Sequence, residues 1–315
     1  MPFRTAFDCL WCGSSHACRG PDDLEGWAQL CPACIGKAGD NGFLRFRLRQ
    51  ALTERGTARA GDPRGEARTV SAPAPARTVS APAPAAAPAP DPGRALIDYY
   101  EARAPEYDDW YLRRGRYARG AIHDAAWNAE LDMAGRWLDA LPIAGEIVEL
   151  AAGTGWWSPL LAAKGELSLY DAATAPLERA RERLVAHGLR AHLHVRDAWA
   201  EPDRAVDALF AGFWLSHVPR ERLADFLGLA HRWLKPGGRF AFIDSLPDPA
   251  SGAADHPVPA GDRAVRRLDD GREFTIVKVY YTADALRTAL GSAGFDQLEI
   301  GTTGRFFVTG SARAI

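Results

Sequence analysis

A chain of 315 residues, 47% apolar and 25% charged, has the balance of an ordinary folded protein and room for about two domains. The absence of any apolar run of roughly 18 residues excludes a membrane-spanning helix, and the start Met1-Pro-Phe-Arg-Thr-Ala-Phe-Asp-Cys offers no apolar signal-peptide core. A net charge of −2 excludes a polycation built for nucleic acid.

All five cysteines (Cys9, Cys12, Cys18, Cys31 and Cys34) fall within the first 34 residues. The rest of the chain therefore carries neither a catalytic thiol nor a disulfide. An odd number of cysteines without a secretory signal points to a reduced, cytoplasmic setting. Cys9-x2-Cys12 and Cys31-x2-Cys34 are separated by 18 residues, a spacing that lets four thiolates surround one structural Zn²⁺. Residues 1–52 are read as a zinc-binding module too small to fold without such a staple. Cys18 and His16 are expected to be spectators. Between residues 41 and 70 seven basic residues face three acidic ones. That run is either a phosphate footprint for RNA or DNA or a solvated helix leading out of the module.

Residues 53–93 are Ala/Pro-rich, and Ala67–Pro75 recurs without change as Ala76–Pro84. Such a segment cannot bury a core and favours extended polyproline II structure, so it is expected to be a tether. From Arg94 to Ile315 helical and strand patterns alternate. The predicted strands are Glu146–Leu150, Leu167–Tyr170, Ala191–Arg196, Val206–Phe213, Arg239–Ile243, Phe274–Tyr280 and Arg305–Thr309. Pro219–Leu234 and Asp284–Ala293 are the clearest helices. The first five strands, short and separated by helices, predict a parallel doubly wound α/β sheet. The last two are expected to add an antiparallel edge.

The run Val148-Glu-Leu-Ala-Ala-Gly-Thr-Gly155 leads a strand through a glycine turn into a helix. Gly153 and Gly155 allow close approach of a ligand to backbone N–H groups. Asp171 follows Glu149 by 22 residues, where an acid can accept both ribose hydroxyls. Asp197-Ala198 follow the third strand, in place for an adenine amine. Leu234-Lys-Pro-Gly-Gly238 forms the turn into the fifth strand.

In this order the motifs resemble the class I S-adenosylmethionine-dependent methyltransferases over about residues 94–310, with Ala151 where Gly is commonest. The resemblance implies a seven-stranded Rossmann-like sheet and a cofactor site drawing on Glu149, Ala151, Gly153, Gly155, Asp171, Asp197, Ala198 and Phe213. It also makes Asp98–Trp110 a lid helix that lays Tyr100 and Tyr107 over the methionine part of S-adenosyl-L-methionine. A nicotinamide dehydrogenase fits less well: Ser158 stands where a third glycine is needed, and no Tyr lies four residues before any Lys.

The acceptor is approached by subtraction. Gly212-Phe-Trp-Leu replaces the Asn/Asp-Pro-Pro-Tyr/Phe motif of exocyclic-nitrogen enzymes, and cytosine C5 chemistry lacks its cysteine. His217 is the candidate base, and Asp244 at the end of the fifth strand either orients substrate or caps a loop. Ser251–Pro259 and Lys278-Val-Tyr-Tyr281 are candidate walls for the acceptor, with Trp156, Trp157 and Trp214 as a candidate aromatic lining. These signs favour a small-molecule acceptor, oxygen first and nitrogen next. A zinc module ahead of this fold is also similar to the ribosomal RNA guanine-N1 methyltransferases, which would make RNA the acceptor. A third reading has the module dock a protein partner, the tether raising its effective concentration.

Overall fold

The computed structural model describes residues 3–9, 15–36, 48, 51–52, 55, 92–256, 258–259 and 261–315. Cys12 and most of the expected tether lie outside them. In the N-terminal module β1 (Ala6–Asp8) pairs antiparallel with β2 (Ser15–Ala17), and short helices follow at Leu24–Ala28 and Pro32–Gly36. Its core is small: Trp27, Ala28, Leu30 and Ala51 close around Cys9, Cys31 and Cys34.

The larger unit is built on β3 (Gly145–Leu150), β4 (Gly165–Asp171), β5 (His192–Val195), β6 (Val206–Gly212) and β7 (Leu234–Ser245). All pair in parallel. The central strands read as continuous apolar runs such as Ala208–Ala211 because helices cover both faces. β10 (Phe295–Thr302) and β11 (Phe307–Ala314) complete the sheet in the order β10-β11-β7-β6-β3-β4-β5. β11 runs antiparallel to β7 over Arg239–Ser245. The order reverses between β3 and β6, and open sheets bind ligands at the C-terminal ends of strands beside such a switch point.

Two expectations about the sheet need correction. The strand expected at Phe274–Tyr280 does not join it. As β9 (Glu273–Val277) it forms a separate hairpin with β8 (Arg263–Arg267), because β11 already occupies the available edge of β7. The antiparallel edge is instead completed by β10. The fifth strand is also longer than expected: it starts at Leu234 and absorbs the Lys-Pro-Gly-Gly turn as an irregularity in its pairing with β6.

The chain enters this unit through the helix Pro92–Arg103, a turn at Ala104–Glu106 and the helix Asp109–Leu112. Side chains pin this lid at two places. Asp108 accepts from Thr154 Oγ1 at 2.6 Å and pairs with Arg183, tying the lid to the glycine turn after β3. Trp110 Nε1 donates to the Ser251 carbonyl at 2.7 Å and Arg113 to the Ala250 carbonyl at 2.5 Å, tying it to the loop after β7. No helix among the described residues is long and apolar enough to cross a membrane.

Candidate active site

A cavity of about 570 Å³ opens at the C-terminal ends of β3, β4 and β6, within the size range of cofactor sites. Ala151, Gly153, Asp171, Asp197, Ala198 and Phe213 line it from the sheet, and Tyr100 and Tyr107 from the lid. Eight of the ten residues expected to bind cofactor thus meet in one place. Asp171 is held in position by the backbone: its carboxylate accepts from Gly153 N–H and Ala173 N–H, each at 2.8 Å. Burial, with Asp197 and Glu101 nearby, raises it from 3.8 to about 6 against the pull of those two N–H donors. Asp197 accepts from Trp199 N–H at 2.9 Å, which orients its carboxylate. Ala151 and Phe213 both take positive φ, 49° and 59°. Backbone strain of this kind, at two residues lining one cavity, is characteristic of functional sites.

The other two stand behind the cavity. Glu149 is 2% exposed, and its carboxylate receives the Ser158 hydroxyl at 2.5 Å, bracing the turn from beneath. Gly155 has φ 68°, and a Cβ there would come within 2.7 Å of Ala180 Cβ, so its role is close packing against the helix Thr174–Ala186. Gly153 does face the cavity: a Cβ there would meet the Tyr107 hydroxyl at 2.9 Å. Burial pushes Glu149 from 4.5 up to about 8, Asp171 adding to it and the Ser158 hydrogen bond opposing it. The native state therefore binds this proton more tightly than the unfolded chain, and stability falls as pH rises from about 4.5 to about 8. Glu149→Gln keeps the neutral shape, so melting scans at a series of pH values should show a flatter decline for the variant. The gain at the alkaline end is expected to be on the order of a few kcal/mol. Equal slopes for the two proteins would refute the assignment.

A second, smaller cavity of about 70 Å³ lies under the lid. Tyr100, Tyr107, Phe213 and His217 line both cavities and form the junction between them. Ser251, Gly252, His256 and Val258 supply one wall, and Lys278 and Tyr280 another, as the sequence suggested. His217 is buried and held at both ring nitrogens: Nδ1 lies 2.7 Å from the Val277 carbonyl, and Nε2 lies 2.7 Å from the Tyr100 hydroxyl. Burial, followed by the positive charge of Lys278, drives its pKa well below 6.5. A neutral ring whose Nδ1–H donates to Val277 must accept the Tyr100 proton donor at Nε2.

Two expectations are corrected here. Asp244 lines neither cavity. It accepts from Ser216 N–H at 2.8 Å and Ser245 N–H at 2.6 Å, so it caps the loop after β6. The tryptophans do not line the acceptor side: Trp156 stacks on Tyr111 at 4.2 Å, Trp157 is core, and Trp214 faces the larger cavity. Tyrosines take that place, and the sequence reading missed Tyr99, Tyr117, Arg103 and Arg266. One signal was available: Tyr99 and Tyr100 lie four and three residues before Arg103, the helical spacings that bring each beside it on one face.

In the N-terminal module the Sγ atoms of Cys9, Cys31 and Cys34 lie within 4.8 Å of one another, all buried. Four thiolates around zinc at about 2.3 Å stand roughly 3.8 Å apart, which this cluster accommodates. Cys31 N–H donates to Cys9 Sγ at 3.2 Å, and Cys34 N–H to the Cys31 carbonyl at 2.9 Å, a turn that presents two sulfurs to one point. Cys18 and His16 are outside the cluster.

The switch-point cavity, the braced glycine turn and the acids after β4 and β5 together define a class I S-adenosylmethionine-dependent methyltransferase. The chain is an enzyme of that class, and known proteins agree. Residues 147–238 match the family model described as "Methyltransferase domain". The chain is 27% identical over 170 residues to the ubiquinone/menaquinone biosynthesis C-methyltransferase UbiE of Coxiella burnetii, covering 49% of this chain and 67% of that protein. It is 39% identical over 109 residues to the demethylmenaquinone methyltransferase of Clavibacter sepedonicus, covering 33% of this chain and 42% of that one. Among solved structures, the DhpI-SAM-HEP complex superposes with a TM-score of 0.57 at 28% identity, covering 71% of this chain and all of that chain (100%). The DhpI-SAH complex gives the same TM-score of 0.57 at 27% identity.

Proposed function

We propose that this enzyme methylates a small-molecule acceptor, with oxygen the first choice of nucleophile and nitrogen the next. The observation that carries this reading is the meeting of two cavities at Tyr100, Tyr107, Phe213 and His217. The larger has the carboxylates and glycine turn that suit S-adenosylmethionine, which supplies an electrophilic methyl on sulfur when bound. The smaller, lined by the lid, is of a size to receive a small molecule or part of one. In this scheme Asp171 accepts from the ribose hydroxyls and Asp197-Ala198 face the adenine. Tyr100, Tyr107 and Phe213 surround the transfer point, and the lid excludes water. Alignment of acceptor and methyl then supplies most of the rate enhancement.

His217 serves in this scheme as a positioning residue that holds the Tyr100 hydroxyl at the junction. His217→Gln should lower kcat only a few-fold and leave cofactor affinity unchanged, against the roughly 10²–10⁴-fold loss of a general base. The pH profile of kcat should show no inflection near 6.5, because this imidazole is neutral far below that value. A large loss, or such an inflection, would make it the base.

Cys9, Cys12, Cys31 and Cys34 are proposed to hold one structural zinc in a module tethered to the catalytic unit. A second reading of the acceptor takes support from the names of the relatives, two of which are quinone-pathway methyltransferases: transfer to carbon. The deciding experiment incubates the full chain with carbon-13-methyl cofactor and either a small-molecule extract or total RNA. Label in a methoxy or methylamino signal of the extract supports the proposal. A C-methyl signal supports the second reading, and label confined to RNA overturns both.

A further inference from the structure

The smaller cavity has an unbalanced wall. Three cations line it: Arg103, Arg266 and Lys278. Arg103 is 8% exposed, and its Nε is buried without a hydrogen-bond partner. Four tyrosine rings surround its guanidinium, Tyr107 at 4.7 Å and Tyr99, Tyr117 and Tyr100 at 5.6, 5.7 and 5.9 Å. Ring faces stabilise a cation but do not neutralise it. Among the described residues no carboxylate forms an ion pair with it. Lys278, 9% exposed, donates to Ser216 Oγ at 2.8 Å and Ser245 Oγ at 3.2 Å. An ammonium has three donors, so these two leave one over. Arg266 is half-buried; its guanidinium donates to the Val265 carbonyl at 3.1 Å and forms no ion pair among the described residues.

Nothing in the lining offsets this charge. Asp248 is the one carboxylate there among the described residues, and Arg305 holds it at 3.0 Å. The two histidines are neutral. His256 is drawn down to about 4 by burial and then by Arg266, and Arg266 and Arg103 both add to the depression of His217. Burial, opposed by Asp244 and aided by the same two arginines, brings Lys278 down to about 8. An uncompensated buried cation is costly to maintain in a fold. Arg103 is buried without a carboxylate partner, Lys278 is buried with Asp244 behind it and one donor to spare, and Arg266 is half-buried; such a wall, open to a cavity beside the transfer point, has the makings of a binding surface for negative charge.

We propose that Arg103, Arg266 and Lys278 form the receptor for a compact oxyanion, a carboxylate or a phosphoryl group, carried by the methyl acceptor. The inference rests on the methyltransferase reading of the neighbouring cavity and names the acceptor's chemical class. Guanidinium groups present two parallel N–H donors suited to the oxygens of either anion, and Lys278 adds a point charge. The three cations line the smaller cavity only, whereas the junction residues line both. The oxyanion is therefore received on the acceptor side, apart from the cofactor.

The test is calorimetric titration of the full chain, saturated with S-adenosylhomocysteine, with acetate, inorganic phosphate, methylphosphonate and choline chloride at matched ionic strength. One or more of the three oxyanions should bind at millimolar concentrations or below, and choline should not. Phosphate or methylphosphonate binding more tightly than acetate assigns a phosphoryl acceptor; the reverse order assigns a carboxylate. Arg266→Met and Lys278→Met should each weaken the anion tenfold or more and leave S-adenosylhomocysteine affinity within about threefold, which a merely structural role would not separate. Arg103→Lys retains the charge and should weaken binding less than Arg103→Met. Absence of binding by all three oxyanions, or binding unchanged in both the Arg266 and Lys278 variants, overturns the proposal. Tighter binding of choline does so too. S-adenosylhomocysteine binding in the same experiment separates the two readings: its failure sinks the methyltransferase assignment, and its success without an oxyanion sinks only this inference.

Discussion

Asp171→Ala should lower the affinity for S-adenosylmethionine on the order of 100-fold. The substitution removes the acceptor proposed for the ribose hydroxyls and strips Gly153 N–H and Ala173 N–H of their partner. A hydrogen bond to a charged group contributes about 1.5–3 kcal/mol, so one or two lost acceptors span the expected range. Loss of the Gly153 contact also frees the glycine turn, adding to the effect. Asp171→Asn, which keeps one carbonyl oxygen, should fall between parent and Ala. Because the carboxyl titrates at about 6 and hydroxyl donors favour its ionised form, cofactor affinity should rise with pH through that value. Parent-like affinity in the Ala variant, measured by calorimetry, would remove Asp171 from the site.

Cys31→Ser, or exhaustive chelation, should unfold the N-terminal module while the catalytic unit still binds cofactor with affinity within about threefold. Structural zinc contributes about 10–16 kcal/mol in isolated fingers, which a core as small as Trp27, Ala28, Leu30 and Ala51 cannot replace. Cys31 also contributes the N–H donor to Cys9 Sγ, so its loss disturbs a second sulfur. Elemental analysis should find about one zinc per parent chain and none in the variant. Equal zinc in both would exclude Cys31 as a ligand. Collapse of cofactor binding would show that the two parts do not fold as separate units.

The parallel core and the residues that gather at the larger cavity were legible because their signals are local. An apolar run ending in glycine, followed at set distances by Asp171 and Asp197, needs no tertiary information. The misread elements each had their pattern broken by something non-local. β10 was missed because a bulge shifts its register between Asp296 and Glu299, with Gln297 at φ 47°, and this disrupts the alternation. β8 is Arg-Ala-Val-Arg-Arg, with Ala264 as its one buried residue, so it carries almost no hydrophobic signal. Trp156 and Trp157 looked like a lining because they follow the glycine turn directly, yet that turn points them into the core beside Tyr111. The cationic wall is assembled from the lid and the β8–β9 hairpin, segments more than 150 residues apart. Spacing along the chain could not bring them together.

The helix Pro92–Arg103 touches both cavities. Leu96, Ile97 and Tyr100 face the larger one, and Tyr99, Tyr100 and Arg103 the smaller. On the proposed scheme this one helix contacts both cofactor and acceptor. Each should therefore strengthen the binding of its companion by the same factor. Dissociation of the spent cofactor should then be slowest while the acceptor side is filled, giving the ternary complex a longer residence time than either binary one.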